Sequence, residues 1–462
     1  MIPLVEINLI QGEYLMRLKK VMSFVLSGLL ATSLVACGSG SKTAESNKAD
    51  QGNGKIVVWT LSDDLKSFAE HYKEQNPGKE VEVTVIAPSD YPTKVTTALR
   101  GKAEVPDVIV GEPQMLPNYF EAGFCEDLTQ APYDVGQYKD QIVEYAYKAG
   151  TDSADGKVKA LSYQVTPGGI TYRRDIAKAV WGNDDPAFIA EKYKDVNAIT
   201  QTAKELQAKG YSIFSDTGNL RWFVYGKDPQ PWVKDNKLMM TQDRLDYVDT
   251  AVNLYQQKLV AFAPEWSAAW YASMAGPIPV DADVKDLKDV DPNSAKTEVF
   301  SYALPTWGSL IVRDNAKDNI GKFGVTTGPN SYFAGGTFMA ISSYSKNKQA
   351  AWDFIKYCTL NQDTAQWWID KSKGDVVSNI PALEANKDKT NDAFGGQKTY
   401  AFWLEQAKKV DYSLVTKYDD NIGKFFGQAI TSIQKGEMSK EDALKDFYKN
   451  VNTIYPEIQV PK

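Results

Sequence analysis

The chain has 462 residues, of which 43% are hydrophobic and 24% charged, and this is an ordinary composition for a globular protein of two or three domains. Its net charge of −7 disfavours nucleic acid and anionic membrane surfaces as partners. Three cysteines are too few for a disulfide framework, and one histidine does not support a Ser-His-Asp or Cys-His arrangement or a histidine-rich metal site. The sequence therefore predicts no metal and no cofactor, and it favours a binding protein over an enzyme.

Residues 1–36 are predicted to be a signal peptide. The positive stretch MRLKK precedes an apolar run over residues 21–36, which is shorter than the roughly 20 residues that span a bilayer. The run ends in LVAC, which resembles the lipobox of bacterial lipoproteins. This resemblance implies cleavage after Ala36 and a diacylglycerol on the sulfur of Cys37, and two acyl chains hold a protein at a membrane. The alternative is a short membrane helix without a lipid.

The segments on either side of this signal are predicted to lie outside the folded part. Residues 1–15 place Glu6 and Glu13 ahead of the positive stretch, which indicates that translation starts at Met16. Residues 37–54 are rich in Ser, Gly, Lys and Asn. Such a composition is typical of a flexible linker, so these residues are predicted to form a lipidated N-terminus followed by a tether.

Strands and helices are predicted to alternate from Lys55 to Gly123. The strands are expected at 55–60, 80–86 and 106–110, and the helices near 64–75, 91–99 and 115–122. This order predicts a parallel sheet, in which ligands gather at the carboxyl ends of the strands. Trp59 and Asp63 lie at the end of the first strand, and Glu112 and Gln114 follow the third. Trp59 in the sheet core and Asp63 as a helix cap are the structural alternatives.

The later part of the chain contains three segments suited to a chain that passes between two lobes. They are Thr166–Gly169, Gly328–Asn330 and Asn379–Pro381, and an ordinary surface turn is the alternative for each. Further helices are expected over 187–209, 243–258, 346–360 and 439–454. The helix over 243–258 is predicted to bury a stripe of Leu245, Val248, Val252 and Tyr255, and the last helix is predicted to start at an N-cap Ser439.

Several of these pieces, in this order, resemble the family 1 extracellular solute-binding proteins of ABC importers, the group that includes maltose-binding protein. They are KIVVWT, VPDVIVGEPQMLPNYFEAGF, PGGITYRRD, GGTFMAISSYSKNKQAAWDFIKY and GEMSKEDALKDFYKNVNTI, and they cover most of residues 55–462. The resemblance implies an α/β fold of two lobes with hinge crossings and a ligand cleft between the lobes. It implies a first lobe of residues 55–165 with 330–372, and a second lobe of residues 166–329 with 373–462.

The resemblance also implies which residues hold the ligand. Sugar binders of this family use aromatic faces and polar side chains, because a pyranose has apolar CH faces and hydroxyl groups. Carried over by motif, the ligand-binding residues are Trp59, Asp63, Glu112, Gln114 and Trp307. Gly111 and Gln114 stand where maltose-binding protein has a tryptophan and an aspartate, so the resemblance does not imply maltodextrin specificity for this chain.

Two further aromatic residues are candidates for the ligand site. Trp266 and Trp270 in PEWSAAWY are predicted to share a helix face, with one of them in the core and Trp266 toward the cleft. Tyr332 flanks the second crossing segment. Cys125 and Cys358 could pair, but the burial habit of cysteine favours two buried thiols.

Together these features predict a monomeric lipoprotein on the extracellular face of the cell membrane. It would capture a sugar, an oligosaccharide, and deliver it to the permease subunits of an ABC transporter. The alternatives are a polyamine or another non-sugar solute as the ligand, a surface lipoprotein without a transport role, and a glycosidase with paired carboxylates.

Overall fold

The computed structural model describes residues 55–226, 228–280 and 293–461, so the predicted signal peptide, Cys37 and the linker lie outside the described residues. The strands are β1 (Ile56–Thr60), β2 (Val81–Val85), β3 (Val108–Gly111), β4 (Leu161–Ser162), β5 (Gly168–Arg173), β6 (Tyr211–Phe214), β7 (Val233–Lys234), β8 (Lys237–Leu238), β9 (Ile278–Pro279), β10 (Lys296–Pro305), β11 (Phe323–Thr326) and β12 (Phe338–Ile341). The helices are α1 (Asp64–Gln75), α2 (Tyr91–Gly101), α3 (Leu116–Glu121), α4 (Glu144–Ala149), α5 (Arg174–Trp181), α6 (Pro186–Lys192), α7 (Val196–Gln207), α8 (Gln242–Gln256), α9 (Ala268–Ala275), α10 (Gly308–Asn315), α11 (Lys348–Thr359), α12 (Gln362–Ser372), α13 (Ile380–Asn386), α14 (Thr399–Ala407), α15 (Asp419–Gln434) and α16 (Lys440–Ile454).

The first sheet has the strand order β2-β1-β3-β12-β4. β1 pairs in parallel with both β2 and β3, so the prediction of a parallel β-α-β-α-β start is confirmed. β12 returns from the far part of the chain and pairs antiparallel with β3 and β4. All four residues of β3 are buried, which agrees with its apolar sequence VIVG and its place between two neighbouring strands.

The second sheet has the strand order β11-β5-β10-β6. β10 pairs antiparallel with β5 and parallel with β6, and β9 pairs with the start of β10. On this side of the molecule α15 packs against α16 and α8. The predicted C-terminal helix is confirmed, and Ser439 caps it by accepting a hydrogen bond from the Asp442 amide at 3.1 Å.

The chain passes between the two sheets where β4 leads to β5 and where β11 leads to β12. These connecting segments hydrogen-bond to each other, since the Gly168 amide donates to the Tyr332 carbonyl at 2.8 Å and the Ala334 amide donates to the Thr166 carbonyl at 3.1 Å. A third stretch joins them through the Val165 amide, which donates to the Val376 carbonyl at 2.8 Å. We call these three hydrogen-bonded segments the joint.

The Asn379–Pro381 segment, which was predicted to be a crossing or a turn, is the start of a helix. The Asn379 side chain accepts a hydrogen bond from the Ala382 amide at 3.0 Å, and Pro381 occupies the first turn of α13, where the missing amide proton costs nothing. α13 packs against α12 and against the 3₁₀ helix Val135–Gln141. Residues 375–386 therefore lie beside elements of the first sheet.

Two predictions about the helices differ from the structure. The helix expected over 187–209 is interrupted, because Asp195 caps a second helix, α7, after α6 ends at Lys192. On α8 the buried stripe includes Arg244, Val248, Ala251 and Leu254, one position out of phase with the predicted stripe. The phase shifts because Arg244, which a sequence pattern counts as polar, is itself 1% exposed.

Cys125 and Cys358 are both free and buried, as the sequence favours. Burial raises the pKa of each thiol. Both side chains belong to the apolar core that includes the first sheet.

Candidate functional site

The loop after β3 carries two polar side chains in contact. The Gln114 amide donates a hydrogen bond to the Glu112 carboxylate. Burial raises the pKa of Glu112, while the hydrogen bond from Gln114 opposes that rise and the negative charge of Asp420 adds to it. The structure therefore places a partly buried carboxylate and an amide at the carboxyl end of a buried strand, where open α/β sheets bind ligands.

Trp307 and Trp266 form a stacked pair of indoles, with ring centroids 5.5 Å apart and ring planes 24° apart. The Trp307 indole Nε1 donates to the Ala334 carbonyl at 2.9 Å, which fixes the ring against the joint. Trp266 is 56% exposed and has a φ of 70°, a conformation that bulky residues rarely adopt. Backbone strain of this kind concentrates at functional sites.

The prediction that Trp266 and Trp270 share a helix face is wrong, because Trp266 precedes α9 and its backbone is left-handed. Trp270 lies on α9 and is 1% exposed. The expected division into one core tryptophan and one exposed tryptophan is nevertheless what the structure shows.

Gly335 brings Glu112 and Trp307 together. A Cβ atom on Gly335 would lie 3.5 Å from the Trp307 Nε1 and 3.7 Å from the Glu112 Oε1, so both side chains border the same glycine. Gly335 has a φ of 71°, which favours glycine at this position. The loop after β3, the turn between β10 and α10, and the joint thus meet at one point.

A cavity of about 1040 Å³ adjoins this meeting point, and we call it the main cavity. Gln114 contributes to its wall from the loop after β3, Tyr332 and Gly335 from the joint, and Asp419 from α15. Trp222 stacks on Tyr332 with ring centroids 5.1 Å apart and planes 7° apart. The cavity is at the upper end of the size range of small-molecule sites, and its wall combines aromatic rings with a few polar groups, as such sites do.

Carboxylates are prominent among the polar groups of the main cavity. Burial raises the pKa of Asp216, and it raises the pKa of Asp419 to about 6. The Asp216 carboxylate accepts from the Gly218 amide at 2.7 Å, and Asp419 accepts from the Thr416 hydroxyl. Neither carboxylate forms an ion pair with a residue that the structure describes, so both keep oxygen lone pairs for a ligand.

Arg221 is the cation nearest the aromatic stack of the main cavity. Its guanidinium carbon lies 4.2 Å from the centre of the Trp222 ring, within the range of a cation–π contact. The same side chain forms an ion pair with Glu265 and donates to the Gly218 carbonyl at 2.9 Å. Its charge is therefore already partly compensated by the protein.

Trp59 and Asp63 lie apart from this group of residues. Trp59 is half-buried on β1, with the Lys94 Nζ 5.2 Å from its ring centre, and it is not among the residues that line the main cavity. Asp63 occupies the N-cap position of α1 without a capping hydrogen bond, and its exposed carboxylate pairs with Lys66 at 2.7 Å. Of the predicted ligand residues, Gln114 and Tyr332 line the main cavity. Glu112, Trp307 and Trp266 do not line it but are connected to it through Gly335, and Trp59 and Asp63 have neither relation to it.

Several lining residues were missed by the sequence reasoning. Trp222 lies in the aromatic stretch RWFVY after β6, and Asp419 and Asp420 begin α15. A tryptophan next to an arginine was a signal that could have marked Trp222, which lies in the 3₁₀ helix Thr217–Phe223. The two aspartates carried no such signal, since acidic residues in a first helical turn also serve the helix dipole.

Comparison with known proteins identifies the class of this chain. Residues 67–394 match the model of the family described as bacterial extracellular solute-binding protein, and the chain belongs to that family. Its family therefore makes it an extracellular solute-binding protein. None of the helices in the part of the chain that the structure describes is long and apolar enough to cross a membrane.

The fold is similar to that of solved binding proteins with two lobes. The ABC transporter associated binding protein of B. animalis subsp. lactis Bl-04, in complex with beta-1,6-galactobiose, has a TM-score of 0.66 at 22% identity and covers 88% of this chain and 99% of its own. The GacH receptor of Streptomyces glaucescens, solved without ligand and with acarbose, has a TM-score of 0.68 at 15% identity. The match covers 88% of this chain and 100% of the GacH chain. The lacto-N-biose complex of the GL-BP protein of Bifidobacterium longum has a TM-score of 0.67 at 17% identity. The match covers 90% of this chain and 100% of the GL-BP chain.

Proposed function

We propose that this protein binds an oligosaccharide in the main cavity and delivers it to the permease subunits of an ABC importer. The observation that carries the proposal is the main cavity itself, which is lined by aromatic side chains, among them Tyr225 and Phe333, and by the polar side chains of Gln114, Asp216 and Asp419. Aromatic faces suit the CH faces of a sugar ring, and carboxylates and amides suit its hydroxyls. Glu112, Trp307 and Trp266 border the same region through Gly335 and extend this set.

The similar structures support a sugar as the ligand, since three of them were solved with beta-1,6-galactobiose, acarbose or lacto-N-biose. In this proposal the protein binds its ligand and releases it unchanged, acting as a monomer. The lobe limits of 55–165 with 330–372, and of 166–329 with 373–462, stay a prediction, as do Trp59 and Asp63 as ligand residues.

We further propose that the protein is held at the extracellular face of the cell membrane by the lipid on Cys37. The support is the sequence LVAC after an apolar run of signal-peptide length. Labelling cells with a radioactive fatty acid tests this, because Cys37→Ser should abolish incorporation into the protein and release it from the membrane. Incorporation that survives this substitution would contradict the proposal.

A cationic solute such as a polyamine is the second candidate ligand. The specific observation in its favour is that Asp216, Asp419 and Asp420 border the main cavity without ion-pair partners among the described residues. Carboxylates with aromatic faces can enclose an ammonium group. A sugar remains the better supported ligand, because the raised pKa values of Asp216 and Asp419 indicate an environment that disfavours charge on these two groups.

The test is a thermal-shift and calorimetric screen of the purified full-length chain in detergent against oligosaccharides and polyamines. A specific ligand at a hundredfold excess over its dissociation constant stabilises the folded protein by about 2.7 kcal/mol. We expect a shift with an oligosaccharide series, and we expect Trp307→Ala to weaken its binding by about tenfold or more. Trp367→Ala, which removes an indole that stacks on His71 away from the main cavity, is the matched control. A shift with polyamines alone would reverse the order of the two candidates.

A further inference from the structure

A second cavity, of about 530 Å³, is lined by residues of α2 and α3 and by Asp420 of α15, and we call it the outer groove. One wall is a face of α2 that carries Pro92, Thr96 and Arg100, which are spaced four residues apart and therefore point to the same side. The other wall includes Met115 and Asn118 of the α3 region. None of these five residues was singled out by the sequence patterns.

The outer groove adjoins the main cavity. Gln114 and Asp420 line both of them, Gln114 from the loop after β3 and Asp420 from the first turn of α15. At the groove Glu121 of α3 forms an ion pair with Lys417, with an Nζ–Oε distance of 3.1 Å, so the segment before α15 is tied to α3 there. The two cavities therefore share one boundary of polar side chains.

The lining of the outer groove suits a hydrated, neutral and polar ligand. Arg100 and Asn118 are exposed, and their side chains form no hydrogen bond or ion pair with the part of the protein that the structure describes. They offer donors and an acceptor, and Asp420 adds an acceptor. Pro92 and Met115 supply apolar surface between these polar groups. Alternating apolar and hydroxyl-binding surface is what a sugar ring requires.

We propose that the outer groove is an additional sugar subsite, which binds the units of an oligosaccharide that extend past Gln114 and Asp420 out of the main cavity. This inference rests on the proposed function of the main cavity. The outer groove adds about half of the volume of the main cavity, so it extends the site by further sugar units. Affinity is therefore expected to increase with chain length beyond the length that the main cavity holds.

The test compares Thr96→Trp, which fills the outer groove, with Thr97→Trp as the matched control. Thr97 is the next residue of α2, is exposed and does not line the groove. The probes are maltodextrin, isomaltodextrin and beta-1,6-galactan oligosaccharides of two to six units, measured by titration calorimetry with the full-length protein in detergent. A thermal unfolding scan of each variant shows that it is folded.

We expect Thr96→Trp to weaken binding of the longer members of the series that binds by about tenfold and to leave the disaccharide within about twofold. Thr97→Trp should change neither the affinity for the longer oligosaccharides nor the affinity for the disaccharide. If Thr96→Trp does not fold, Asn118→Ala provides a second test. We expect it to lower the affinity for the longer oligosaccharides by about threefold and to leave the affinity for the disaccharide unchanged. An equal loss at every length, or no loss at any length, overturns the subsite while leaving the proposed function intact. A wild-type protein that binds none of these sugars overturns both.

Discussion

Asp375 provides a quantitative test of how burial acts on a charged group next to the joint. Its side chain is 2% exposed and accepts hydrogen bonds from the Trp368 indole Nε1 at 2.8 Å and from the Val376 amide at 2.9 Å. The titratable groups that face it are Asp64, Tyr163 and Tyr400, and it has no ion pair within the described residues. Burial, and after it the negative charge of Asp64, raises the pKa of Asp375 from 3.8 to about 7.

This raised pKa makes the folded protein less stable as the pH increases. The native state holds the proton more tightly than the unfolded chain, so stability falls between about pH 4 and pH 7 and is constant above that range. Each pH unit costs about 1.4 kcal/mol. Over the two units from pH 5 to the raised pKa of about 7, the loss is therefore about 3 kcal/mol.

The substitution Asp375→Asn removes this titration while keeping an oxygen that can accept from Trp368. The difference in unfolding free energy between the variant and the wild type should shift in favour of the variant by about 3 kcal/mol from pH 5 to pH 8. Urea unfolding at a series of pH values measures it, and any constant cost of burying the amide cancels in this comparison. Asp370→Asn is the control, because a half-exposed side chain paired with Lys389 contributes less than about 1 kcal/mol. A difference that does not change with pH would refute the reasoning.

Two further predictions concern buried groups. Gly168→Ala should destabilise the protein by about 1–3 kcal/mol, because the added Cβ would lie 2.0 Å from the Tyr332 ring. Gly101→Ala is the control and should be neutral or stabilising, because no atom lies within 4 Å of its added Cβ. Thermal unfolding measures both variants, and equal unfolding midpoints for the two would contradict the packing at the joint. Cys125 and Cys358 should resist a disulfide reagent in the folded protein at pH 8 and react in urea, because burial raises the pKa of both thiols; rapid modification of the native protein would contradict this.

The sequence predicts the local features of this fold well. The strands and helices from β1 to α3 follow from hydrophobic periodicity and from turn residues, which act over a few neighbouring positions. The predicted crossings at Thr166–Gly169 and Gly328–Asn330 lie where the two sheets are connected, whereas Asn379–Pro381 begins a helix. The cap at Ser439 also depends only on its own turn. The antiparallel return of β12 to the first sheet has no such local signal, since its partner β3 lies far away in the sequence.

The difference between local signals and contacts made outside an element also explains which face of α8 is buried. An apolar stripe placed Leu245 and Val252 inside, but the structure buries Arg244 instead. The guanidinium of Arg244 lies 4.0 Å from the centre of the Trp232 ring, and it donates hydrogen bonds to the carbonyl oxygens of Gln230 and Met239. A charged side chain can be buried when residues outside its own helix supply hydrogen bonds to it, and no periodicity in the helix itself reveals them.

The joint accounts for which candidate ligand residues come together. The Trp307 indole donates a hydrogen bond to the Ala334 carbonyl, and Tyr332 lies two residues before Ala334 in the same segment. Gly335 of this segment borders Glu112. One short segment between the sheets thus contacts aromatic groups and a carboxylate that belong to different parts of the chain.

In the proposed function, this arrangement would couple ligand binding to movement of the joint. Gly335 and Gly336 both have positive φ values, 71° and 123°, and they lie in a segment between two strands. Hinge rotation is absorbed by a few loop or element-terminal residues, which are often small. A rotation there would change the position of Trp307 relative to Glu112, because one is bonded to the segment and the other lies across it. A ligand that contacts both side chains would therefore stabilise one conformation of the joint relative to the others, because it binds that conformation more tightly.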